Sequence, residues 1–214
     1  MKLRSKSLAF LPVLLLGTAA FLGGCATTGM DRSVKTSNSI QEVDSEIREM
    51  IVQIDTTGAS FDSLVRTGQP DPKKALHTYS DDLAKLDRQG KRVIKRMDEM
   101  ESRSTEYFAE WEKQGDAYKN PRIQELSAQR RTKLAELYAQ VPKSGAGIKR
   151  AFHNYLSNLQ EIQKYLSTDL TPAGLAAIAP VAEKSVQDRD ALRASFQPVL
   201  SALDEIKAEL YSAQ

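Results

Sequence analysis

The chain has 214 residues, with 30 Lys and Arg against 28 Asp and Glu, and a single cysteine. One cysteine excludes a disulfide within the chain. Lys2, Arg4 and Lys6 all lie in the N-terminal segment; without them 27 basic side chains face 28 acidic ones, so the slight positive charge vanishes and with it any electrostatic case for nucleic acid.

That N-terminal segment has the layout of an export signal, a positive start followed by an apolar run from Leu8 to Leu22. The run is shorter than the ~20 residues a membrane-crossing helix needs, and Pro12 and Gly17 weaken it further. It ends in Leu22-Gly23-Gly24-Cys25, an apolar residue, two small residues and the only cysteine: the pattern of a bacterial lipobox. The expectation is cleavage before Cys25 and lipid on its sulfur, leaving about 190 residues, enough for one domain. Residues 1–24 are read as signal peptide and 25–38 as the lipidated cysteine and a flexible, small and polar tether.

The remainder is rich in Ala, Glu, Lys, Gln and Leu, a helix-forming composition, with no alternating stretch that reads as a strand. Ser39-Ile40-Gln41-Glu42 matches a capping box and predicts the first helix start. Ile40, Val43, Ile47, Met50, Ile54, Phe61 and Leu64 follow at steps of three and four, with Thr57 filling one gap. Asp71-Pro72 opens a second helix. Its seam runs through Leu76, Tyr79, Leu83, Leu86, Val93, Met97, Met100, Tyr107 and Trp111, with Gly90 and Ser104 as small seam residues that permit close approach. Reaching Gln114, that helix is about 65 Å long.

Asn120-Pro121 starts a third helix, either folding back on the second or continuing it past a kink, with Ile123, Leu126, Leu134, Leu137 and Val141, and Pro142 to Gly147 (PKSGAG) reads as a turn. A fourth carries Ile148, Phe152, Tyr155, Leu159, Ile162 and Leu166. Thr171-Pro172 opens a fifth with Leu175, Ile178, Leu192, Phe196, Val199, Leu203, Ile206 and Leu210, which Pro180 and Pro198 are expected to kink or interrupt. A narrow apolar stripe with steps averaging 3.5 favours shallow, coiled-coil-like crossings, and short loops make sequential helices antiparallel. The predicted fold is therefore all-α: an elongated antiparallel bundle of four to five helices over residues 39–214.

Catalytic patterns are missing where their chemistry needs them. Gly90-Lys91 lacks the earlier glycine and the following Ser or Thr of a phosphate-binding loop. His77 and His153 stand in no Glu-x-x-His or His-x-x-x-His spacing, so no metal and no cofactor is expected. The twelve-residue span from Asp31 to Glu42 has Lys35 and Thr36 where a calcium loop needs a ligand and a glycine. There is no Gly-x-Ser-x-Gly elbow, and Cys25 is expected to be blocked by lipid. Carboxylates such as Asp98 and Glu101 alternate with Lys95 and Arg96, as on a solvated helix face.

Three features offer surfaces instead. Lys91, Arg92, Lys95 and Arg96 form a basic cluster suited to anionic lipid or wall polymer, and Arg130, Arg131 and Lys133 form a second. Tyr107, Phe108, Trp111 and Tyr118 gather aromatics at one bundle end. Two adjacent aromatics cannot both face one core, which makes Phe108 or its neighbour a candidate partner surface. Arg189 falls on the seam of the last helix, where its stem can lie along the core with the charged head in water.

The segments Cys25-Ala-Thr-Thr-Gly29, Arg32-Ser-Val-Lys-Thr-Ser-Asn-Ser-Ile-Gln41, Tyr107-Phe-Ala-Glu-Trp-Glu112 and Ser201-Ala-Leu-Asp-Glu-Ile-Lys-Ala-Glu209 resemble a family of helical lipoproteins of Gram-negative bacteria classed as a domain of unknown function. The resemblance covers essentially the whole chain after the signal. It implies a helical lipoprotein and no established activity. Some members carry ATPase-like or repair-like names, with which the missing phosphate loop and the export signal disagree.

The expected function is a non-enzymatic scaffold, spacer or adaptor, held by lipid on Cys25. Ala26 rather than Asp after the cysteine favours the outer membrane, facing the periplasm. Its expected partners are the membrane and an envelope protein or cell-wall polymer, with a second copy of the chain as a further possibility and no nucleic acid. A membrane-surface or curvature-binding role through the basic clusters is the alternative reading, and an envelope enzyme with a site assembled from distant carboxylates is a third.

Overall fold

The computed structural model describes residues 29–66 and 68–211, and these form helices joined by short turns, with no strand among them. The elements are α1 (Gly29–Val65), α2 (Pro72–Asp116), α3 (Pro121–Thr168), α4 (Pro172–Ala177) and α5 (Ala179–Tyr211). The predicted all-α fold is the observed one. Four long helices run up and down in sequence, and α1 meets both α2 and α5, so the ring closes around a single core.

The polar starts act locally as caps. The Asp71 carboxylate accepts from the Lys74 N–H at 3.0 Å, the Asn120 side chain from the Arg122 N–H at 2.9 Å, and the Thr171 hydroxyl from the Gly174 N–H at 3.0 Å. Each is followed by a proline in the first turn, where a missing N–H costs no hydrogen bond. Between α1 and α2, Gly68 takes a left-handed φ of 77°, which a side chain would resist.

Three boundaries depart from the sequence reading. First, α1 begins at Gly29 rather than Ser39, so residues 29–38 are helix and not tether. Thr36 and Ser39 are buried, and the Ser39 hydroxyl donates to the Thr36 carbonyl at 2.5 Å. Ser39 is therefore an interior residue bonding back along its helix, which leaves the capping-box pattern without a helix start to cap. Second, the expected turn at 142–147 is absent, and α3 is a single helix with Pro142 inside it. Buried Leu134, Tyr138, Val141, Gly145, Ile148 and Phe152 keep steps of four and three straight through the proline. Burying that unbroken seam outweighs the ~3 kcal/mol proline penalty. Third, the last predicted helix is divided at Ile178 into α4 and α5. Pro180 has no N–H for the Ala176 carbonyl, so the break falls two residues before it, whereas Pro198 is carried within α5.

The core is the predicted seam almost position for position. Ile47, Ile54, Leu64, Leu86, Leu159, Leu166, Leu192, Val199, Leu203 and Ile206 are all fully buried. Gly90 is a point of close approach: a Cβ there would fall 2.1 Å from Cζ of Phe152, so the phenyl ring occupies the space a side chain would take. Gly145 plays the same part against the Met97 sulfur, which a Cβ would meet at 3.1 Å.

Buried polar groups pair across helices. Thr57, which fills the seam gap, donates to the Gln53 carbonyl at 2.8 Å and to the Asp82 carbonyl of α2 at 3.2 Å. The Tyr79 hydroxyl donates to the Leu159 carbonyl at 2.8 Å. Burial pushes the Tyr79 phenol far above its usual pKa, so it remains a donor at all physiological pH.

Candidate functional site

The residues singled out for lipidation, Leu22, Gly23, Gly24 and Cys25, lie outside the described residues, as does the whole 1–24 signal segment. What the structure describes is the bundle end where α1 starts, four residues after that cysteine.

The basic cluster on α2 is engaged throughout. Lys91 pairs with Asp87 at 2.8 Å and Lys95 with Glu99 at 3.6 Å, each one turn away. Arg92 reaches across to Glu46 on α1 at 3.3 Å, and Arg96 reaches Glu42 at 3.5 Å while binding Glu99 at 2.8 Å. Arg103 extends the chain of pairs to Glu42 at 3.4 Å. The Arg96 hydrogen bond holds the Glu99 carboxyl below the usual range, and Arg96 itself is shifted upward chiefly by the same bond. Arg92, Arg96 and Arg103 zip α1 to α2, while Lys91 and Lys95 pair within α2, and together they present paired charge to solvent.

The second cluster is engaged too. Arg130 and Lys133 both grip Glu209 on α5, Lys133 at 2.5 Å, and the Lys133 hydrogen bond is the main reason the Glu209 carboxyl titrates low. Arg131 pairs with Glu112 at 3.0 Å. On α5, Arg189 lies against Gly58, where an added Cβ would sit 3.3 Å from its Cδ, and its Nε bonds Asp190 at 3.2 Å. The stem rests on the core and the head faces the surface, as its seam position implied.

The aromatics form one chain of rings. Phe108 is half-buried and meets Tyr138 edge-on with centroids 5.4 Å apart. Tyr107 contacts Phe108 at 5.1 Å and Trp111 at 5.5 Å. The two neighbours divide the surfaces between them. Phe108 packs on the core beside α3, while Tyr107 lines a cleft of about 430 Å³ with Lys35, Thr36, Asn38, Glu42, Arg103 and Glu106.

Beyond the rings, α2 and α3 continue alone among the described residues. The Trp111 indole N–H donates to the Ser127 hydroxyl at 2.9 Å, and Gly115 sits close enough to Ser127 that a Cβ would be 3.3 Å from its Oγ. Ile123 and Leu126, both read as seam residues, are 49% and 50% exposed. The reason is geometric. The seam needs four helices to close over it, and neither α1 nor α5 extends this far among the described residues. On α5, Glu209 is held by Arg130 and Lys133, and Tyr211 bonds Ser37 of α1 at 2.5 Å, which places the end of α5 before the start of α3.

His77 is exposed and lies 3.2 Å from Asp81, and His153 is exposed. Among the described residues no group of three or more His, Cys, Asp or Glu is placed to hold a metal ion, and no helix is long and apolar enough to cross a membrane.

Fold and surface together define an all-α, antiparallel four-helix bundle whose charged side chains pair both within and between helices. The family model for a protein of unknown function (DUF2959) matches residues 27–208, and the chain belongs to that family. No curated protein and no solved structure matches it.

Proposed function

We propose that this protein is a bacterial lipoprotein of the outer membrane, anchored through Cys25 and facing the periplasm, where its bundle serves as a non-enzymatic scaffold, spacer or adaptor. The observation that carries the reading is Leu22-Gly23-Gly24-Cys25 at the end of an apolar run behind Lys2, Arg4 and Lys6, with no other cysteine in the chain. Each buried methylene contributes ~0.8 kcal/mol and one chain alone binds only marginally, so the diacylglycerol and amide-linked acyl chains of a mature lipoprotein make attachment effectively permanent.

The form of the body is consistent with a spacer. α2 and α3 have 45 and 48 residues, about 70 Å each at ~1.5 Å per residue. A covalently anchored rod of that length holds a partner well clear of the bilayer. The partner is an envelope protein or a cell-wall polymer.

Radiolabelled palmitate tests the first step. It is expected to enter the wild-type protein in acid-stable form and to be lost in Cys25→Ser. Label missing from the wild type, or retained by the Ser variant, refutes the anchor. Crosslinking of intact envelopes followed by affinity purification then identifies what the rod holds, and recovery of no envelope component refutes the scaffold role.

A further inference from the structure

The geometry points to the tip of the α2–α3 hairpin as a second, non-covalent membrane contact, in which Tyr118, Ile123 and Leu126 enter the headgroup boundary of an anionic bilayer beside Lys119. This inference rests on the lipid-anchor reading above.

The first observation is where the tip stands relative to the anchor. Thr57 bonds Asp82, Gln89 bonds Glu46 at 2.8 Å, and Glu42 lies between Arg96 and Arg103. This antiparallel register sets Gly29 level with about residue 110 of α2. α2 continues to Asp116, so roughly six helical residues, ~9 Å, plus the 117–120 turn project past the first turn of α1. Cys25 is four residues before Gly29, and four residues span at most ~14 Å. A lipid on Cys25 therefore brings this end of the bundle, and not the opposite one, down to the bilayer. The overhang is comparable to the whole reach of the connecting chain, so the tip arrives at the surface with it.

The second observation is the chemistry of what arrives. Tyr118 is 43% exposed at the apex, and Ile123 and Leu126 are covered by no helix among the described residues. Tyrosine is suited to the interface because its ring is apolar and its hydroxyl stays in the headgroup layer. Residues 117–124 carry Lys119 and Arg122 and no acid; Lys119 has no ion pair among the described residues, while Arg122 pairs with Glu125 at 2.7 Å. Asp116 and Glu125 lie just behind. The basic clusters farther along the bundle are paired with carboxylates, whereas at the apex exposed apolar side chains stand beside Lys119.

The test uses the full chain, matured in a host that processes lipoproteins and reconstituted into vesicles of phosphatidylethanolamine and phosphatidylglycerol. Tyr118→Cys receives an environment-sensitive fluorophore; Lys73→Cys, exposed in the first turn of α2 at the far end, is the reference. Thioether lipidation blocks Cys25, so a mature chain takes one label. The 118 label is expected to shift to the blue and to lose intensity when nitroxide-bearing lipids are included, while the 73 label does neither. An acylated protein whose 118 label matches the 73 label overturns the tip contact and leaves the anchor intact. A chain that takes two labels and lacks the acyl mass overturns the anchor reading and the tip contact with it.

Discussion

In two places along the α2–α3 pair a glycine of α2 faces a side chain of α3, and the consequences differ. At the waist, Gly90 makes room for the Phe152 ring, which is 5% exposed and enclosed by the other helices. At the tip, Gly115 faces Ser127, and the neighbouring apolar residues Ile123 and Leu126 stand half in solvent. The helices are the same and the spacing rule is the same. Apolar periodicity states which face of a helix wants burial, and the number of helices present at that height determines whether burial occurs.

Truncating Phe152 to Ala breaks the waist most directly. It leaves a void opposite a glycine that cannot fill it, and urea denaturation should show a loss of about 3–5 kcal/mol. Comparing Gly90→Ala with Gly115→Ala sharpens the contrast. At Gly90 the new methyl collides with a ring held on all sides, an overpacking cost of about 1–3 kcal/mol that exceeds the ~1 kcal/mol gained in helix propensity. At Gly115 the methyl falls 3.3 Å from the Ser127 Oγ, which needs to give by only a few tenths of an ångström and can keep its bond from the Trp111 indole, so the propensity gain survives. Thermal melts followed by circular dichroism should thus move in opposite directions, and two downward shifts would refute the distinction.

Acid probes two ion pairs, Arg96–Glu99 within α2 and Lys133–Glu209 between α3 and α5. The folded state holds Glu99 and Glu209 below the ordinary carboxylate pKa through Arg96 and Lys133 respectively. A depressed folded pKa contributes stability that is present above the unfolded value, ~4.3, and is lost as pH falls through the folded one. The melting temperature should therefore fall between about pH 5 and pH 3, and a Glu99→Gln, Glu209→Gln double variant should fall less steeply. At the tip, Ile123→Ser with Leu126→Ser should change stability by no more than about 0.5 kcal/mol per site, since neither residue is packed into the core. A larger loss would mean that the tip has a core of its own.

Much of the fold is legible in order along the chain. Asp71, Asn120 and Thr171, each followed by proline, mark three helix starts because capping and proline geometry are local. The capping-box reading at Ser39 and the turn reading at Pro142 failed for a common reason. Both weigh a local preference of one to three kcal/mol, and the buried seam passing through Thr36–Ile40 or Val141–Ile148 outweighs it. The unbroken phase of Val141, Gly145 and Ile148 was the signal available for the second, had Gly145 been counted as a seam residue. Apolar spacing alone favours Leu137 for the seam, yet Leu137 and Tyr138 share that stretch, Tyr138 buried and Leu137 partly so. For the candidate surfaces, the basic residues of both clusters were visible, but their acidic partners on α1 and α5 were not, since Glu42, Glu46 and Glu209 are dozens of residues away in sequence.

The sequence by itself determined the helical class, the seam that forms the core, the small residues at close approaches, and the short apolar run with its single cysteine. These are properties of neighbouring residues and of a period near 3.5, which a chain carries whether or not it is folded. Only the tertiary structure decided that the basic clusters are paired, that Phe108 faces the core, and that the α2–α3 hairpin outruns the described parts of α1 and α5 at the end where Cys25 precedes α1. Those facts depend on the relative lengths and register of four helices, and register is set by packing between segments far apart in the chain.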